Sequence, residues 1–228
     1  MRETDIILLV SLALIFSCCN MKEENRIESC EDCKTKLLIS VDSITKMREE
    51  KEFCNDKLHG ISKEFFDNGQ ISVIAHFNYN KKEGEFAKYN REGVLIEKSN
   101  WLEDVENGSA EFYYDNGNKK IITNFYNGVQ IGDFESYFIK GNIHLKYYLD
   151  SNGNKSGEYE EYYVNGMLKE KSNWKNGVPI NVVKYHNNGN IGVMGVFKKG
   201  KQNVEYKFFD KNGIYSHSSF YQDGIKIK

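Results

Sequence analysis

A glycine that recurs every 24 or 25 residues restricts the fold more than any other feature of this chain. The series starts at residue 60 and is continued by two asparagines: Gly60, Gly84, Gly108, Gly132, Gly157, Asn181 and Asn203. Asparagine is the residue that best replaces glycine in a left-handed backbone conformation, so all seven positions are expected to share that conformation. A fixed period of this length indicates a repeat architecture built from one small supersecondary unit.

A second glycine follows each opening position after eight to ten residues and divides every unit into two segments. It is present in all seven units: Gly69, Gly93, Gly117, Gly141, Gly166, Gly189 and Gly213. The segment before it ends in aromatic residues, and the segment after it is longer and carries another aromatic residue in most units. Asn-Gly pairs, which favour tight hairpin turns, begin at residues 68, 116, 165, 188 and 212 in one turn region and at 107, 127, 152 and 176 in the other. Each unit is therefore predicted to be a β-hairpin.

Stacked hairpins of this kind predict an all-β fold. The expected architecture is an elongated single-sheet antiparallel meander of about seven 24-residue β-hairpin repeats, or about fourteen strands. The composition agrees, with 19 Gly, 15 Tyr, 14 Phe and only 1 Pro. Because strand side chains alternate, Tyr113 and Tyr114 are expected on opposite faces. One row is expected to form the buried inner side: Phe77, Trp101, Phe125 and Trp174.

The clearest copies of the unit are residues 108–117 and 157–166, which follow the pattern Gly-x4-aromatic-aromatic-x2-Gly. This pattern resembles the MORN repeat, and especially the bacterial MORN variant of proteins labelled YwqK-family antitoxins, over residues 60–228. The resemblance implies a sheet used for protein contacts or, in eukaryotic relatives, for lipid contacts. Combined with an export signal, the antitoxin label implies either an immunity role against an incoming toxin or a general envelope-binding role.

The N-terminal segment has the features of an export signal. An apolar run from Ile6 to Phe16 is too short to cross a bilayer and has the length of a signal-peptide core. It ends in Ile-Phe-Ser-Cys18, which resembles a lipobox, so residues 1–17 are predicted to be a lipoprotein signal peptide and Cys18 the lipid anchor, with Cys19 as the alternative. The resemblance implies a bacterial protein that is held in the cell envelope, at the outer membrane or cell surface, through its N-terminal lipid.

Residues 18–59 are predicted to form an anchor and linker followed by a short N-terminal helix. The segment between residues 20 and 59 is charged and contains no glycine. Its apolar residues recur with helix-like spacing, which favours a short amphipathic helix: Leu37, Leu38, Val41, Ile44 and Met47. The repeat domain is then expected to occupy residues 60–228.

Three cysteines of this linker are disulfide candidates. Cys30, Cys33, Cys54 and His59 give the spacing C-x2-C-x20-C-x4-H, which is compatible with zinc. An exported chain meets an oxidising compartment, which favours a disulfide among Cys30, Cys33 and Cys54 instead. Free thiols and redox catalysis stay open as alternatives.

The charge balance and the distribution of titratable residues limit the function classes. The 31 Lys and Arg against 33 Asp and Glu lack the basic excess that nucleic-acid binding needs. The five histidines have no fixed place in the repeat, and no serine, cysteine or carboxylate recurs beside them. The chain is therefore predicted to be a binding protein rather than an enzyme, with no cofactor and no metal.

Three acidic residues recur two positions before a tyrosine, and this is the candidate binding stripe. The residues are Glu111, Tyr113, Glu135, Tyr137, Glu160 and Tyr162. Each pair lies on one face of a strand, so the stripe is either an ordinary solvated face or a docking surface for a basic, extended protein partner. The alternative function from another class is a carbohydrate- or cell-wall-binding repeat protein.

Overall fold

In the computed structural model, the described residues are 33–198 and 203–228. The predicted signal peptide, the anchor Cys18 and Cys30 lie outside them. The described residues form seventeen strands and no helix, which confirms the all-β class. Hydrogen bonding assigns the strands to one sheet, in which each described pairing is antiparallel and joins strands that follow one another in the chain. Within these residues, no helix is both long and apolar enough to span a bilayer.

The described strands fall into two compact units, residues 33–94 with 101–104 and residues 95–100 with 105–198 and 203–228. The first unit contains β1 (Thr35–Val41), β2 (Arg48–Cys54), β3 (Lys57–Phe65), β4 (Ile71–Asn78) and β5 (Lys81–Tyr89). The residues of β6 (Leu95–Leu102) are divided between the two units.

The second unit contains the remaining strands. They are β7 (Val105–Tyr113), β8 (Lys119–Tyr126), β9 (Val129–Tyr137), β10 (Ile143–Leu149), β11 (Lys155–Tyr162), β12 (Leu168–Lys175), β13 (Val178–Tyr185), β14 (Ile191–Lys198), β15 (Asn203–Phe209), β16 (Tyr215–Gln222) and β17 (Ile225–Lys226). Strands β3 to β16 correspond to the seven hairpin repeats that the glycine period predicts.

Two kinds of turn alternate along the chain. At the second glycine of each repeat the turn has three residues, as in residues 67–69 between the paired Phe66 and Gln70. There the Gly69 amide donates to the Phe66 carbonyl at 3.0 Å, and Gly69 has φ +85°. This is a type I turn closed by a glycine bulge. Six of the other described turns have two residues, both with positive φ, at 55–56, 79–80, 103–104, 127–128, 176–177 and 223–224. These are the geometry of type I′ turns.

The structure corrects three details of the predicted turns. Asn107 and Gly108 lie inside β7, where Gly108 has φ +110°, so this Asn-Gly pair is not a turn. The pair at 152–153 belongs to a three-residue turn, in which the Gly153 amide donates to the Asp150 carbonyl at 2.9 Å. Asn181 is not among the residues with positive φ and pairs with Asn173 as a strand residue.

The predicted N-terminal helix is wrong, because the residues that suggested it form a hairpin. Strands β1 and β2 pair over seven residues, from Thr35 opposite Cys54 to Val41 opposite Arg48. Between them, the Asp42 side chain accepts hydrogen bonds from the backbone of Ile44 and Thr45, which closes the turn. Ile44 is 85% exposed, so it is not part of a buried helical face. Strand β2 already pairs with β3, and this neighbouring edge favours a further strand over a helix.

The most buried positions along one face of the sheet are small residues. They recur at the repeat period and are at most 4% exposed: Ala75, Ser99, Thr123, Ser172 and Ser219. The predicted inner row lies two residues further along the same strands, and all four of its aromatic residues are only half-buried. The prediction that this row forms the buried inner side of the sheet is therefore wrong. A large ring on a single layer keeps one side open, whereas a small residue between such rings is covered on all sides.

Candidate functional site

The three glutamates of the predicted stripe lie in one row across the second unit. Glu111 of β7 pairs with Ile122 of β8, which pairs with Glu135 of β9. Glu135 pairs with Lys146 of β10, which pairs with Glu160 of β11. We call the face of the second unit that carries Glu111, Glu135 and Glu160 the acidic face.

The phenol of each tyrosine in the stripe donates a hydrogen bond to the glutamate two residues before it. Tyr113 Oη lies 2.5 Å from Glu111 Oε2 and Tyr162 Oη 2.6 Å from Glu160 Oε2, and Tyr137 bonds Glu135 in the same way. Burial, followed by the hydrogen bond and the charge of the glutamate, raises the pKa of Tyr113 and of Tyr137 to about 12. These phenols stay protonated at neutral pH and hold the carboxylates in place.

Glu160 differs from the other two glutamates because it is only 9% exposed and is neutralised from within the sheet. Lys146 lies 2.7 Å from Glu160 Oε2, and Lys171 of β12 lies 3.0 Å from Oε1. Burial alone raises the pKa of this carboxyl group, but hydrogen bonds from Lys146, Tyr162 and Lys171 together lower it to about 2. Glu160 is therefore an ionised structural centre of the acidic face and is poorly placed to meet a partner.

Two acidic residues of this face were missed at the sequence level. Asp133 and Glu158 lie two residues before Glu135 and Glu160 on the same strands and are exposed, with 64% of the Glu158 side chain accessible. The alternation of strand side chains was the signal that could have found them. A depression of about 310 Å³ is lined by four carboxylates and one ammonium group from Asp133, Glu135, Glu158, Glu160 and Lys146, together with Phe134, Tyr147 and Tyr148.

The stripe is confined to three successive repeats. At the positions equivalent to Glu111, Glu135 and Glu160, the other four repeats carry Lys63, Ala87, Val183 and Lys207. The hairpins of those repeats form without a glutamate at this position. The acidic face is therefore a local specialisation and not a general requirement of the repeat.

The opposite face of the second unit is aromatic, and we call it the aromatic face; it carries Phe134, Tyr147, Tyr159 and Trp174. Phe134 stacks on Tyr147 with centroids 4.5 Å apart, and Tyr147 stacks on Tyr159 at 6.0 Å. Tyr147 stands where other repeats carry a small residue. The Lys155 ammonium lies 4.4 Å from the Tyr159 ring centroid and 5.1 Å from that of Trp174. Such distances are typical of cation–π contacts.

Further along the aromatic face, strands β12 to β16 form an open groove of about 550 Å³. Apolar and aromatic side chains provide most of its lining: Trp174, Pro179, Val182, Phe197, Val204, Tyr206 and Tyr221. Tyr206 meets Phe197 and Tyr221 edge to face, with centroids 6.1 and 5.8 Å apart. Gly195 makes room for this ring, because an added Cβ would lie 2.7 Å from Tyr206 Cε1.

The second aromatic residue of several repeats directly precedes the three-residue turn and links it to the next repeat by a hydrogen bond. Tyr114 Oη donates to the Tyr137 carbonyl at 2.7 Å, and Tyr163 Oη donates to the Tyr185 carbonyl at 2.8 Å. His186 has the same place, and its Nε2 lies 3.1 Å from the Phe209 carbonyl oxygen. These side chains stabilise the repeat array and are not part of the binding stripe.

Three segments match the MORN repeat variant. They are residues 58–79, 106–127 and 155–176, and each covers one hairpin, namely β3 with β4, β7 with β8, and β11 with β12. Two Glu-Tyr pairs of the stripe, Glu111 with Tyr113 and Glu160 with Tyr162, lie inside matched MORN segments, whereas the pair of β9 lies between them. No curated protein matches the chain.

A disulfide joins Cys33 and Cys54, whose Cα atoms are 5.4 Å apart. It links a residue two positions before β1 to the last residue of β2 and so closes the open end of the first hairpin. Cys30 lies outside the described residues. Among residues 33–198 and 203–228, no group of three potential ligands is arranged to hold a metal ion, and the His59 ring packs 4.8 Å from that of Tyr79.

Proposed function

We propose that this chain is a non-enzymatic protein-binding scaffold that holds a protein partner on its acidic face. The observation that carries the proposal is the confinement of Glu-Tyr pairs to three neighbouring repeats, where they form one continuous row. Carboxylates steer and orient a basic partner, and half-buried tyrosines provide contact area at a low cost in side-chain entropy. The carboxylates most accessible to a partner are Asp133 and Glu158, and Glu158 also meets Lys171 at 3.3 Å. Glu111 and Glu135 are half-buried and complete the row.

In the binding experiment, the full chain is used to isolate the partner. The purified partner is then titrated against wild type and variants, and the Kd of each complex is measured. A triple variant with Glu111→Gln, Glu135→Gln and Glu158→Gln is expected to raise the Kd at least about tenfold, with a weaker dependence on salt. Glutamine still accepts the tyrosine hydrogen bonds, so the fold is retained. Glu205→Gln, at the equivalent of Glu158 in the last repeat, is the matched control. An unchanged Kd for the triple variant would contradict the proposal.

The location and biological role form a narrower part of this proposal. The apolar N-terminal run and Cys18 support an envelope lipoprotein whose repeat domain is held near the membrane by lipid. An antitoxin or immunity role requires that the partner be an incoming toxin. Co-expression of this chain with the partner, once the partner is identified, tests this role, because an immunity protein must restore the growth that the partner inhibits.

A second candidate function is carbohydrate or cell-wall binding, and the groove of the aromatic face favours it. Half-buried rings from Trp174, Tyr206 and Tyr221 can pack against sugar C–H faces, while Glu170 and Lys184 supply polar groups at the groove. Calorimetric titration with soluble cell-wall oligosaccharides tests this function. Binding that is lost in Trp174→Ala but retained in Trp101→Ala, at the equivalent position of an earlier repeat, would support it. Absence of binding by the wild type would exclude it for those sugars.

A further inference from the structure

From the spacing of the acidic row we infer that the partner lies across the strands as a polyproline II segment with a lysine or arginine at every third residue. This inference rests on the proposed protein-binding function and adds the conformation and charge pattern of the bound segment.

The repeat distance within the row is the first argument. Glu111, Glu135 and Glu160 lie on β7, β9 and β11, so two strand steps separate each from the next. Neighbouring strands lie about 4.8 Å apart, which places equivalent side chains about 9.6 Å apart. A polyproline II helix has about 3 residues per turn and rises about 3.1 Å per residue, so every third side chain points the same way after about 9.3 Å. The two spacings match closely enough for cations three residues apart to meet Glu111 and Glu135 on successive repeats.

Other regular conformations match this spacing less well. In an extended strand, side chains on one side recur after about 6.7 Å or about 13 Å. In an α-helix, the nearest residues on one face recur after about 5.4 Å or about 10.5 Å. Neighbouring strands also rotate by about 20–25°, so a bound segment must follow the turn of the face. A segment without internal hydrogen bonds can do so more easily than a rigid helix.

The hydrogen bonding of the sheet is the second argument. Strands β8 to β11 each pair with a neighbour on both sides, so their backbone amides and carbonyls are already used within the sheet. A ligand on this face therefore finds few backbone partners. Polyproline II keeps its own backbone solvated, and proline has no amide hydrogen to satisfy.

The charge and shape of the face are the third argument. The depression between β9 and β11 presents Asp133, Glu135 and Glu158 around Lys146, so carboxylates outnumber ammonium groups. Tyr148 borders it and is 48% exposed, which offers a ring for the aliphatic part of a lysine or arginine side chain. Glu160 is held by Lys146 and Lys171, and Lys171 also lies 3.3 Å from Glu158 Oε2. The cation nearest to this end of the row is therefore expected to compete with Lys171 for the exposed Glu158 carboxylate.

Two synthetic peptides of identical composition test the inference without altering the protein. The first is Lys-Pro-Pro-Lys-Pro-Pro-Lys, and the second, Lys-Lys-Lys-Pro-Pro-Pro-Pro, has its charges clustered. Fluorescence anisotropy with the full chain in mild detergent, at physiological ionic strength, gives the Kd of each. The first peptide is expected to bind at least about tenfold more tightly. The double variant Glu111→Gln with Glu135→Gln is expected to remove most of this preference, and Glu205→Gln to leave it unchanged.

The outcomes separate this inference from the proposed function. Equal affinity for the two peptides, or no measurable binding of the spaced one, overturns the polyproline II inference. In that case the natural partner can still depend on Glu111, Glu135 and Glu158, and the proposed function stands. If the natural partner binds the triple glutamine variant as tightly as wild type, the proposed function itself fails.

Discussion

Tyr114 donates its phenol hydrogen to the backbone carbonyl of Tyr137, 2.7 Å away, and so connects the turn of one hairpin to the end of the next short strand. The same bond joins Tyr163 to Tyr185 at 2.8 Å. In an array whose units contact mainly their neighbours, such links contribute directly to the coupling between repeats.

The substitution Tyr163→Phe removes one of these links and keeps the ring. We expect the free energy of unfolding to fall by about 0.5–1.5 kcal/mol, the usual contribution of one hydrogen bond. Urea unfolding followed by circular dichroism measures this change. Tyr126→Phe, at an exposed position of β8, is the control and is expected to change it by less than about 0.5 kcal/mol. Equal effects of the two substitutions would contradict a role for the phenol in repeat coupling.

Gly195→Ala is expected to destabilise the second unit by about 1–3 kcal/mol, because the new methyl group meets atoms that cannot easily retreat. An added Cβ would lie 2.8 Å from Val182 Cγ1 and 2.9 Å from Tyr206 Cδ1. Thermal unfolding gives the change in stability, and tyrosine fluorescence reports the displaced ring of Tyr206. Val196→Ala, next in sequence but exposed, is the control. A neutral Gly195→Ala would show that Tyr206 does not depend on this space.

The stability of the fold is expected to depend on pH through Glu160. Its pKa is about 2 in the folded state, below the 4.5 of an unperturbed carboxyl group, so folding favours the ionised form. Its contribution is therefore complete above about pH 5 and is lost as the pH falls through the folded value near 2, for a total on the order of 3 kcal/mol. Unfolding free energies measured between pH 6 and pH 2 should fall less steeply in Glu160→Gln than in wild type. Identical slopes would mean that the lysine contacts of Glu160 do not persist in solution.

The proposed lipid anchor is tested by the substitution Cys18→Ala. We expect this variant to lose lipid labelling and to leave the envelope membrane fraction or to accumulate unprocessed. Metabolic labelling with an alkyne fatty acid and fractionation measure both effects, and Cys19→Ala serves as the control. Retention of label in Cys18→Ala, with its loss in Cys19→Ala, would move the anchor to the next residue.

The hairpin array could be predicted from sequence because turn chemistry is local. A glycine such as Gly69 is favoured where the backbone takes a positive φ, and its period appears without any knowledge of strand pairing. The hairpin of β1 and β2 has no such glycine, and the apolar spacing around Leu37 and Val41 fits a helix as well as a strand. Phe53 lies 24 residues before Phe77 and was the one sequence signal that this hairpin continues the repeat.

The Glu-Tyr pairs of the stripe could be predicted because residues two apart on a strand share a face. The neutralisation of Glu160 could not be predicted. Lys146 and Lys171 contact it from the neighbouring strands β10 and β12, so the contact depends on the register of three strands. Burial was misjudged for a related reason. Sequence patterns place large rings inside, whereas a single layer encloses small residues such as Ser172 and leaves Trp174 half open.

The turn between β10 and β11 has three residues where the corresponding described turns of other repeats have two. This repeat is one residue longer than its neighbours, yet Glu135 still pairs with Lys146 and Lys146 with Glu160 across the strands. The extra residue is therefore accommodated in the turn at the end of the two strands, and the side chains in the middle of the strands keep their positions. Insertions and deletions in these turns can accumulate during evolution, or be introduced by design, without changing the order of charges on the acidic face.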